Sequence, residues 1–408
     1  MLKSFVLRYL LFLGVIIFVV MFESGQSSAF NLGKNIFLGF SFLFWFIWEM
    51  QRGRAGKVDF GYLNYFIIFL FLILVSSLNA VEPRAVFIDF MKWCRLAAIY
   101  LLIICAIKTK VDLHLFLMML GLFMAGAVLY GIYEFIFNPD FIQLGNRATS
   151  IFNMPTLWSF LIIVSLPVLV FLLSVQAGLA KKIFFWSLIG LSGLNLYLTG
   201  SRLGLFFCVT LVPCLLYISV VNKKMHLFLR SVCFIVLGSM ITIVILYGVN
   251  LAKSFFGTMD LDPSFVSRKE YLDAGFNIIR QHPFLGIGAG NYPVVSNIYL
   301  PDHFRNITGF SVGVHNLFLH IAMEAGLFAA AAFFVFIFLH LKKAITLCVD
   351  AQDIYIRKLS RFIFLSLVTG VIYANLDILP ATLMQWYFGI FPGLVIVLGN
   401  ISSAQEIK

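Results

Sequence analysis

Four ionisable side chains lie between long apolar runs of this sequence. Arg147, Arg202 and Arg268 each lie in a short polar segment, and His315 stands at the start of another apolar run. Arginine presents a planar, permanently charged fork that binds a phosphate or a carboxylate through two hydrogen bonds at once. Histidine can be neutral and basic near pH 7, so it can take a proton from a hydroxyl. The four residues therefore predict a phosphate-binding site with a base beside it.

Each of these residues also has a purely structural interpretation. An arginine at the outer face can extend to lipid headgroups. Arg202 can cap the C-terminal end of the preceding span through the helix dipole, and His315 can bond to backbone at a helix end. On a regular helix Glu324 lies on the opposite side from His315, whereas His320 and Glu324 share a face and predict a structural pair inside the bundle.

The segment 265–280 is predicted to be a short amphipathic helix, because its apolar residues recur at 272, 276 and 279. Ser267 and Glu270 have the spacing of a capping box, which predicts that Ser267 is the N-cap. Arg268 would then lie in the first turn, where free backbone N–H groups favour an anion. Arg268 is therefore the arginine best placed for a phosphate, and Arg280 is expected to be a surface charge.

A glycine-rich run, from His282 to Tyr292, follows this helix. No strand is predicted before it and no acidic partner follows at the required distance, so a nucleotide-binding loop is not indicated. The glycines are expected to let the loop turn and approach the membrane surface closely.

No metal site is indicated by the spacing of potential ligands. The cysteines show no CxxC spacing and no cluster with histidine. The carboxylates of Asp260, Asp262 and Asp302 are expected to be solvated loop charges. Metal binding by the Asp260-x-Asp262 pair stays open as an alternative.

Composition indicates which elements position these residues. The 408 residues are 62% hydrophobic and 12% charged, with a mean hydropathy of +1.00, whereas soluble domains are about 25% charged. A span needs about 20 apolar residues. The chain is therefore predicted to be an all-α polytopic membrane protein, one integral domain over residues 1–408, with about 12 transmembrane helices. The spans are expected near 7–22, 35–50, 60–79, 89–106, 112–133, 156–174, 183–199, 203–221, 231–249, 316–340, 361–376 and 384–400.

Charge sets the predicted orientation. With a cytoplasmic N-terminus, most basic residues fall in connections on the cytoplasmic side, as the positive-inside rule requires. Those on the other side are mostly arginine, among them Arg147, Arg202 and Arg268. One long connection, residues 250–315, joins the ninth and tenth spans there and is predicted to be a periplasmic loop with short amphipathic helices. Both termini are then cytoplasmic, and the candidate site is periplasmic.

Three segments resemble, in order and spacing, the superfamily of O-antigen ligases and O-antigen or exopolysaccharide polymerases, which are glycosyltransferases of the bacterial inner membrane. The segments are Thr199-Gly200-Ser201-Arg202, the Arg268 helix followed by Pro283-x-x-Gly286-Ile287-Gly288-x-Gly290-Asn291-Tyr292, and His315-Asn316 followed by Glu324-x-Gly326. The resemblance covers roughly residues 140–330. The remaining spans add only hydropathy.

The resemblance implies an inverting, metal-independent membrane glycosyltransferase that needs no cofactor. Its donor would be a glycan linked to polyprenyl (undecaprenyl) diphosphate, and its acceptor a sugar hydroxyl. In this sequence His315 would be the catalytic base or would orient the acceptor, with Asn316 and Glu324 in support. The arginines that would bind the diphosphate and stabilise its developing charge are Arg147, Arg202 and Arg268.

The acceptor separates two members of this superfamily. A ligase transfers the glycan to lipid A core, and a polymerase transfers it to a second lipid-linked glycan; the ligase is favoured slightly. A flippase or transporter for the same lipid-linked sugars, a protein of another class, would also need basic groups. The sequence shows no matching interrupted spans in its two halves, which counts mildly against a transporter. The lipid bilayer is the other expected partner, and no nucleic acid is expected.

Overall fold

The structure is a computed structural model, which describes residues 59–137, 147–152, 154–220, 235, 238, 263–301, 314–377 and 381–406. The regular elements in these ranges are all helical, and no strand occurs among the residues described. The α-helices in this part of the chain are α1 Leu63–Val75, α2 Pro83–Ala106, α3 Lys110–Phe137, α4 Pro155–Val175, α5 Leu179–Leu198, α6 Arg202–Val220, α7 Pro263–Gln281, α8 Tyr292–Tyr299, α9 Leu317–Ala325, α10 Leu327–Asp350, α11 Ile354–Ala374 and α12 Ala381–Glu406.

Several of these helices are built to cross a membrane. Among the residues described, α3, α4, α10 and the Trp386–Ala404 part of α12 are long and apolar enough to do so. Helices α1 to α6 and α9 to α12 overlap the spans expected at 60–221 and 316–400. The expected spans at 7–22 and 35–50, and nearly all of the one at 231–249, lie outside the described residues. The chain is a multi-pass helical membrane protein, and the number of twelve spans stays a prediction.

The tenth expected span, 316–340, is not one continuous helix. Helix α9 ends at Ala325 and α10 begins at Leu327, with Gly326 between them at a φ of 90°. A Cβ on Gly326 would lie 1.9 Å from the carbonyl oxygen of Phe284. Both the positive φ and this close approach therefore require glycine at the break. Hydropathy did not reveal the break because the residues on either side are equally apolar.

Helix α7 confirms the amphipathic helix expected near residues 265–280, but it begins one turn earlier, at Pro263. Proline suits the first helical position, since its φ is preset and its missing N–H would have no partner there. Ser267 therefore lies inside the helix, and the expected capping box is wrong. Arg268 does not lie in the first turn. Arg280, near the other end, is exposed, as expected.

An aromatic cluster joins four of the membrane helices. Helix α2 lies along α12, and α10 packs against α1 and α11. The ring centroid of Phe333 in α10 lies 5.1 Å from that of Phe69 in α1, and 5.4 Å from those of Trp93 in α2 and Phe388 in α12. All four side chains are buried. Because lipid is as apolar as the side chains, such close packing is what holds membrane helices together.

Replacing the glycine at the helix break tests this fold. We expect Gly326→Ala to lower stability by about 1–3 kcal/mol or more, because alanine is strained at this φ and its Cβ would overlap the Phe284 carbonyl. Gly190→Ala in α5 is the control, since a Cβ there meets nothing within 4 Å. Thermal unfolding in detergent should show a lower Tm for the first variant only. Equal Tm values for both variants would contradict the break.

Candidate functional site

A carboxylate to which the sequence did not point lies beside the candidate base. Oδ1 of Asp377 is 3.1 Å from Nδ1 of His315, and Asp377 is only 4% exposed. It follows α11, where its backbone N–H donates to the carbonyl of Tyr373 at 3.0 Å. An ionised carboxylate only accepts hydrogen bonds, so this contact favours the neutral tautomer of His315 with its proton on Nδ1 and its lone pair on Nε2. This is the tautomer in which Nε2 can act as a base.

Arg268 reaches the same carboxylate from α7. Its Nη2 is 3.7 Å from Oδ1 of Asp377, and the Arg268 side chain is 41% exposed. The side chain is therefore partly accessible to an anionic ligand. One turn further along α7, the ring centroid of Tyr271 lies 6.3 Å from that of His315. Burial raises the pKa of Tyr271, so its hydroxyl keeps its proton at neutral pH.

Arg147 is held against the turn between α5 and α6. Its Nε donates to the carbonyl of Thr199 at 2.7 Å, and the N–H of Ala148 donates to the carbonyl of Leu198 at 2.9 Å. Carbonyls at the end of a helix have no partner within it, so these bonds cap the C-terminal end of α5. Arg147 and Ala148 therefore cap these two carbonyls, a role for which the sequence had offered Arg202 as a candidate.

Arg202 is exposed and is the first residue of α6. The preceding Ser201 accepts a hydrogen bond from the N–H of Gly204 at 3.1 Å, which is the bond of an N-cap. The turn reverses direction at Gly200, where φ is 59°. Arg202 therefore stands at the N-terminal end of a helix, where backbone groups and side chain both favour an anion.

Tyr373 links the Arg202 turn to the His315 and Asp377 pair. The hydroxyl of Ser159 donates to the hydroxyl of Ser201 at 3.1 Å and is also bonded to the hydroxyl of Tyr373. The carbonyl of the same tyrosine accepts the backbone N–H of Asp377 at 3.0 Å. The structure thus brings Arg268 and His315 onto one carboxylate, brings Arg147 onto the Arg202 turn, and connects the two groups through Tyr373.

Asn316 fixes the start of the helix that follows His315. Its side-chain oxygen accepts a hydrogen bond from the N–H of Leu319 at 2.9 Å, which makes it the N-cap of α9. Its side-chain N–H donates to the carbonyl of Asn375 at 3.4 Å. Because Asn375 lies two residues before Asp377, this contact ties together the segments that carry the histidine and the carboxylate.

Glu324 binds the glycine-rich loop. Its two carboxylate oxygens accept hydrogen bonds from the N–H groups of Gly290, at 2.9 Å, and Tyr292, at 3.1 Å. It also pairs with Nε2 of His320 at 3.4 Å, which confirms the pair expected from the sequence. Glu324 is 4% exposed. Its contacts with His320 and the loop give it a structural role at the end of α9.

The glycine-rich loop approaches the protein's own helices. The N–H of Ile287 donates to the carbonyl of Met323 in α9 at 3.0 Å, and a Cβ on Gly288 would lie 2.4 Å from the Cβ of Ala80. This part of the loop therefore lies against the last turn of α9 and the connection between α1 and α2, and the expected approach to the membrane surface stays a prediction.

The described residues also show, for their part of the chain, whether side chains are grouped to bind a metal ion. Among them, no three His, Cys, Asp or Glu side chains lie close enough together to hold a metal ion. Asp260, Asp262 and Asp302 fall outside the described residues, so the interpretation of the Asp260-x-Asp262 pair stays open.

The long apolar helices define an integral membrane protein, and the segments that join them carry the arginines, the histidine and the buried carboxylate. Residues 187–334 match the family model described as O-Antigen ligase. This match confirms the resemblance of the chain to O-antigen ligases and polymerases. This family implies a membrane glycosyltransferase-like enzyme of the ligase or polymerase type. A comparison with curated proteins finds no match.

The family match covers only part of the site. It includes Arg202, Arg268 and His315, begins after Arg147 and stops before Asp377. The sequence did contain a signal for Asp377, since Asn375 and Asp377 form a short polar break between the last two apolar runs. That signal is weak alone, because a connection between two spans is ordinarily polar.

Removing the Glu324 carboxylate tests its role in the loop. We expect Glu324→Ala to lower Tm and to expose residues 286–292 to limited proteolysis, because the N–H groups of Gly290 and Tyr292 lose their acceptor, at a cost of up to about 1–3 kcal/mol each. Glu324→Gln keeps one oxygen and should have an intermediate Tm. A Glu324→Ala protein as stable and as protease-resistant as wild type would show that the carboxylate does not hold the loop.

Proposed function

We propose that this protein is an inverting, metal-independent glycosyltransferase. It moves a glycan from polyprenyl diphosphate, of the undecaprenyl type, to the hydroxyl of an acceptor sugar. The observation that carries this proposal is the contact of His315 with the buried carboxylate of Asp377, with Arg268 on the same carboxylate. A base with a fixed tautomer beside an accessible arginine is what transfer from a diphosphate requires.

The chemistry follows from this arrangement. The acceptor hydroxyl gives its proton to Nε2 of His315 as its oxygen bonds to the anomeric carbon of the donor. The bond from that carbon to the phosphate oxygen breaks, and polyprenyl diphosphate leaves with the bonding electrons. Attack on the face opposite the leaving group inverts the anomeric configuration. The carboxylate of Asp377 stabilises the imidazolium that forms.

Arg147, Arg202 and Arg268 act on the leaving group. Negative charge grows on the diphosphate as the glycosidic bond breaks, and fixed guanidinium groups stabilise that charge more in the transition state than in the bound donor. Nε of Arg147 is occupied by the Thr199 carbonyl, so its Nη groups would bind the phosphate. The accessible part of Arg268 would bind the phosphate nearest the reacting carbon.

The acceptor we favour is lipid A core, which makes the protein an O-antigen ligase of the bacterial inner membrane. Both termini would be cytoplasmic, the site periplasmic, and residues 1–408 one membrane domain whose long loop spans 250–315. Polymerisation needs the same donor chemistry and a different acceptor. A transporter for the same lipid would not need a base such as His315.

Transfer by the purified protein tests the reaction. With a chelator present, we expect wild type to move glycan from polyprenyl diphosphate to lipid A core, and His315→Ala and Arg268→Ala to lose product while staying folded. Base and charge stabilisation each contribute about 10²-fold or more. Lengthened glycan on the lipid carrier would identify a polymerase. No transfer of either kind by folded wild type, or full activity in His315→Ala, would overturn the proposal.

Replacing Asp377 separates orientation of the base from substrate binding. We expect Asp377→Asn to lower kcat by about 10²-fold or more, because an amide neither fixes the tautomer nor stabilises the imidazolium. The matched control is Asp353→Asn at the other end of α11, where an oxygen of Asp353 accepts backbone N–H bonds at 2.9 and 3.1 Å. That variant should keep its activity. Equal kcat in the two variants would remove Asp377 from the mechanism.

A further inference from the structure

A second buried carboxylate lies near the C-terminal end of α3. Glu134 is 8% exposed. Its Oε2 accepts hydrogen bonds from the backbone N–H groups of Thr149, at 3.1 Å, and Ser150, at 2.7 Å, and its Oε1 accepts one from the Thr149 hydroxyl at 2.7 Å. An ionisable side chain in a membrane helix is costly, and by default it indicates function.

The backbone that Glu134 binds is strained. Ser150 has a φ of 51°, and among the described residues no other residue except glycine has a positive φ. Such a conformation costs about 1–3 kcal/mol and persists only where the surroundings enforce it. Here the carboxylate enforces it from one side. The Ser150 hydroxyl adds a bond to the carbonyl of Ala127 in α3 at 2.7 Å.

The strained segment leads directly to Arg147. Ala148 and Arg147 bond to the last carbonyls of α5, at 2.9 and 2.7 Å. Gly200 leaves the space through which this arginine passes, since a Cβ there would lie 3.2 Å from Nε of Arg147. Residues 147–150, in the connection between α3 and α4, are thus fixed at two points, the Glu134 carboxylate and the C-terminal end of α5, with Arg147 at the second.

We propose that Glu134 is a positioning residue for the donor diphosphate. It acts through Arg147: by binding the backbone of residues 149 and 150, it places the Nη groups of the arginine where they meet a phosphate of a lipid-linked donor. A carboxylate suits this task because three donors converge on its two oxygens through charge-assisted bonds. This inference rests on the proposed function, because it needs the diphosphate as the ligand of Arg147.

Binding of the donor's lipid diphosphate tests this placement without relying on turnover. The probe is polyprenyl diphosphate, titrated into the purified full-length protein in detergent, with Kd and Tm measured for each variant. We expect Glu134→Ala to weaken binding about tenfold or more, as expected for loss of a charge-assisted contact. Glu134→Gln, which keeps one acceptor oxygen, should weaken it less and serves as the test if the alanine variant does not fold.

The matched control is Asp112, a buried carboxylate at the other end of the same helix. It accepts the backbone N–H groups of Lys108 and Thr109 at 3.2 and 3.0 Å, so Asp112→Ala removes a similar clamp far from Arg147. We expect Asp112→Ala to lower Tm and leave Kd unchanged. A purely structural Glu134 would behave in the same way, and that result would overturn the inference.

A double-mutant cycle identifies the route of action. Arg147→Ala alone should weaken binding, and adding Glu134→Ala should cause little further loss, because both changes remove the same contact. Fully additive losses would overturn the route through Arg147. Failure of the proposed function looks different: wild type that binds the diphosphate without transferring glycan refutes the transferase, while unchanged Kd in folded Glu134 variants of an active enzyme refutes only the positioning role.

Discussion

Hydrocarbon offers no partner to a backbone N–H or C=O, so every interruption of a membrane helix must be paired within the protein. Two glutamates provide hydrogen-bond acceptors for backbone N–H groups outside the helices. Glu324 binds the loop that packs on the break at Gly326, and Glu134 binds the segment that leads to Arg147. In both places a buried carboxylate fixes irregular backbone, and that backbone carries or supports the candidate site. The side chains that we propose to contact substrate therefore lie on irregular segments whose backbone is held in place by hydrogen bonds, as the backbone of a helix is.

The candidate site combines one buried negative charge with several positive charges. Asp377 is buried, and its carboxylate contacts both Arg268 and His315. Arg147 and Arg202 add further positive charge near this pair. A site of this composition attracts an anionic lipid to the membrane surface, since arginine holds its charge at any physiological pH.

Local pattern predicted what depends on neighbours along the chain. Hydropathy found the helices, and residue spacing found α7 and the pair of His320 with Glu324. These patterns did not predict that α7 begins at Pro263, that the helix breaks at Gly326, or that Asp377 contacts His315. The last two rest on contacts between distant segments, such as Phe284 with Gly326 and Asp377 with His315. Contacts between distant segments produce no periodic pattern in the sequence, and a polar residue after a membrane span is too common to indicate a functional site.

The distance in sequence between His315 and Asp377, 62 residues, also has a meaning for biosynthesis. A membrane chain is made and inserted from its N-terminus, so the segment with the histidine is inserted before the carboxylate that contacts it. In the mechanism we propose, a chain made only as far as α10 has the arginines but not the carboxylate that orients His315. Such a chain would bind the lipid donor without transferring its glycan.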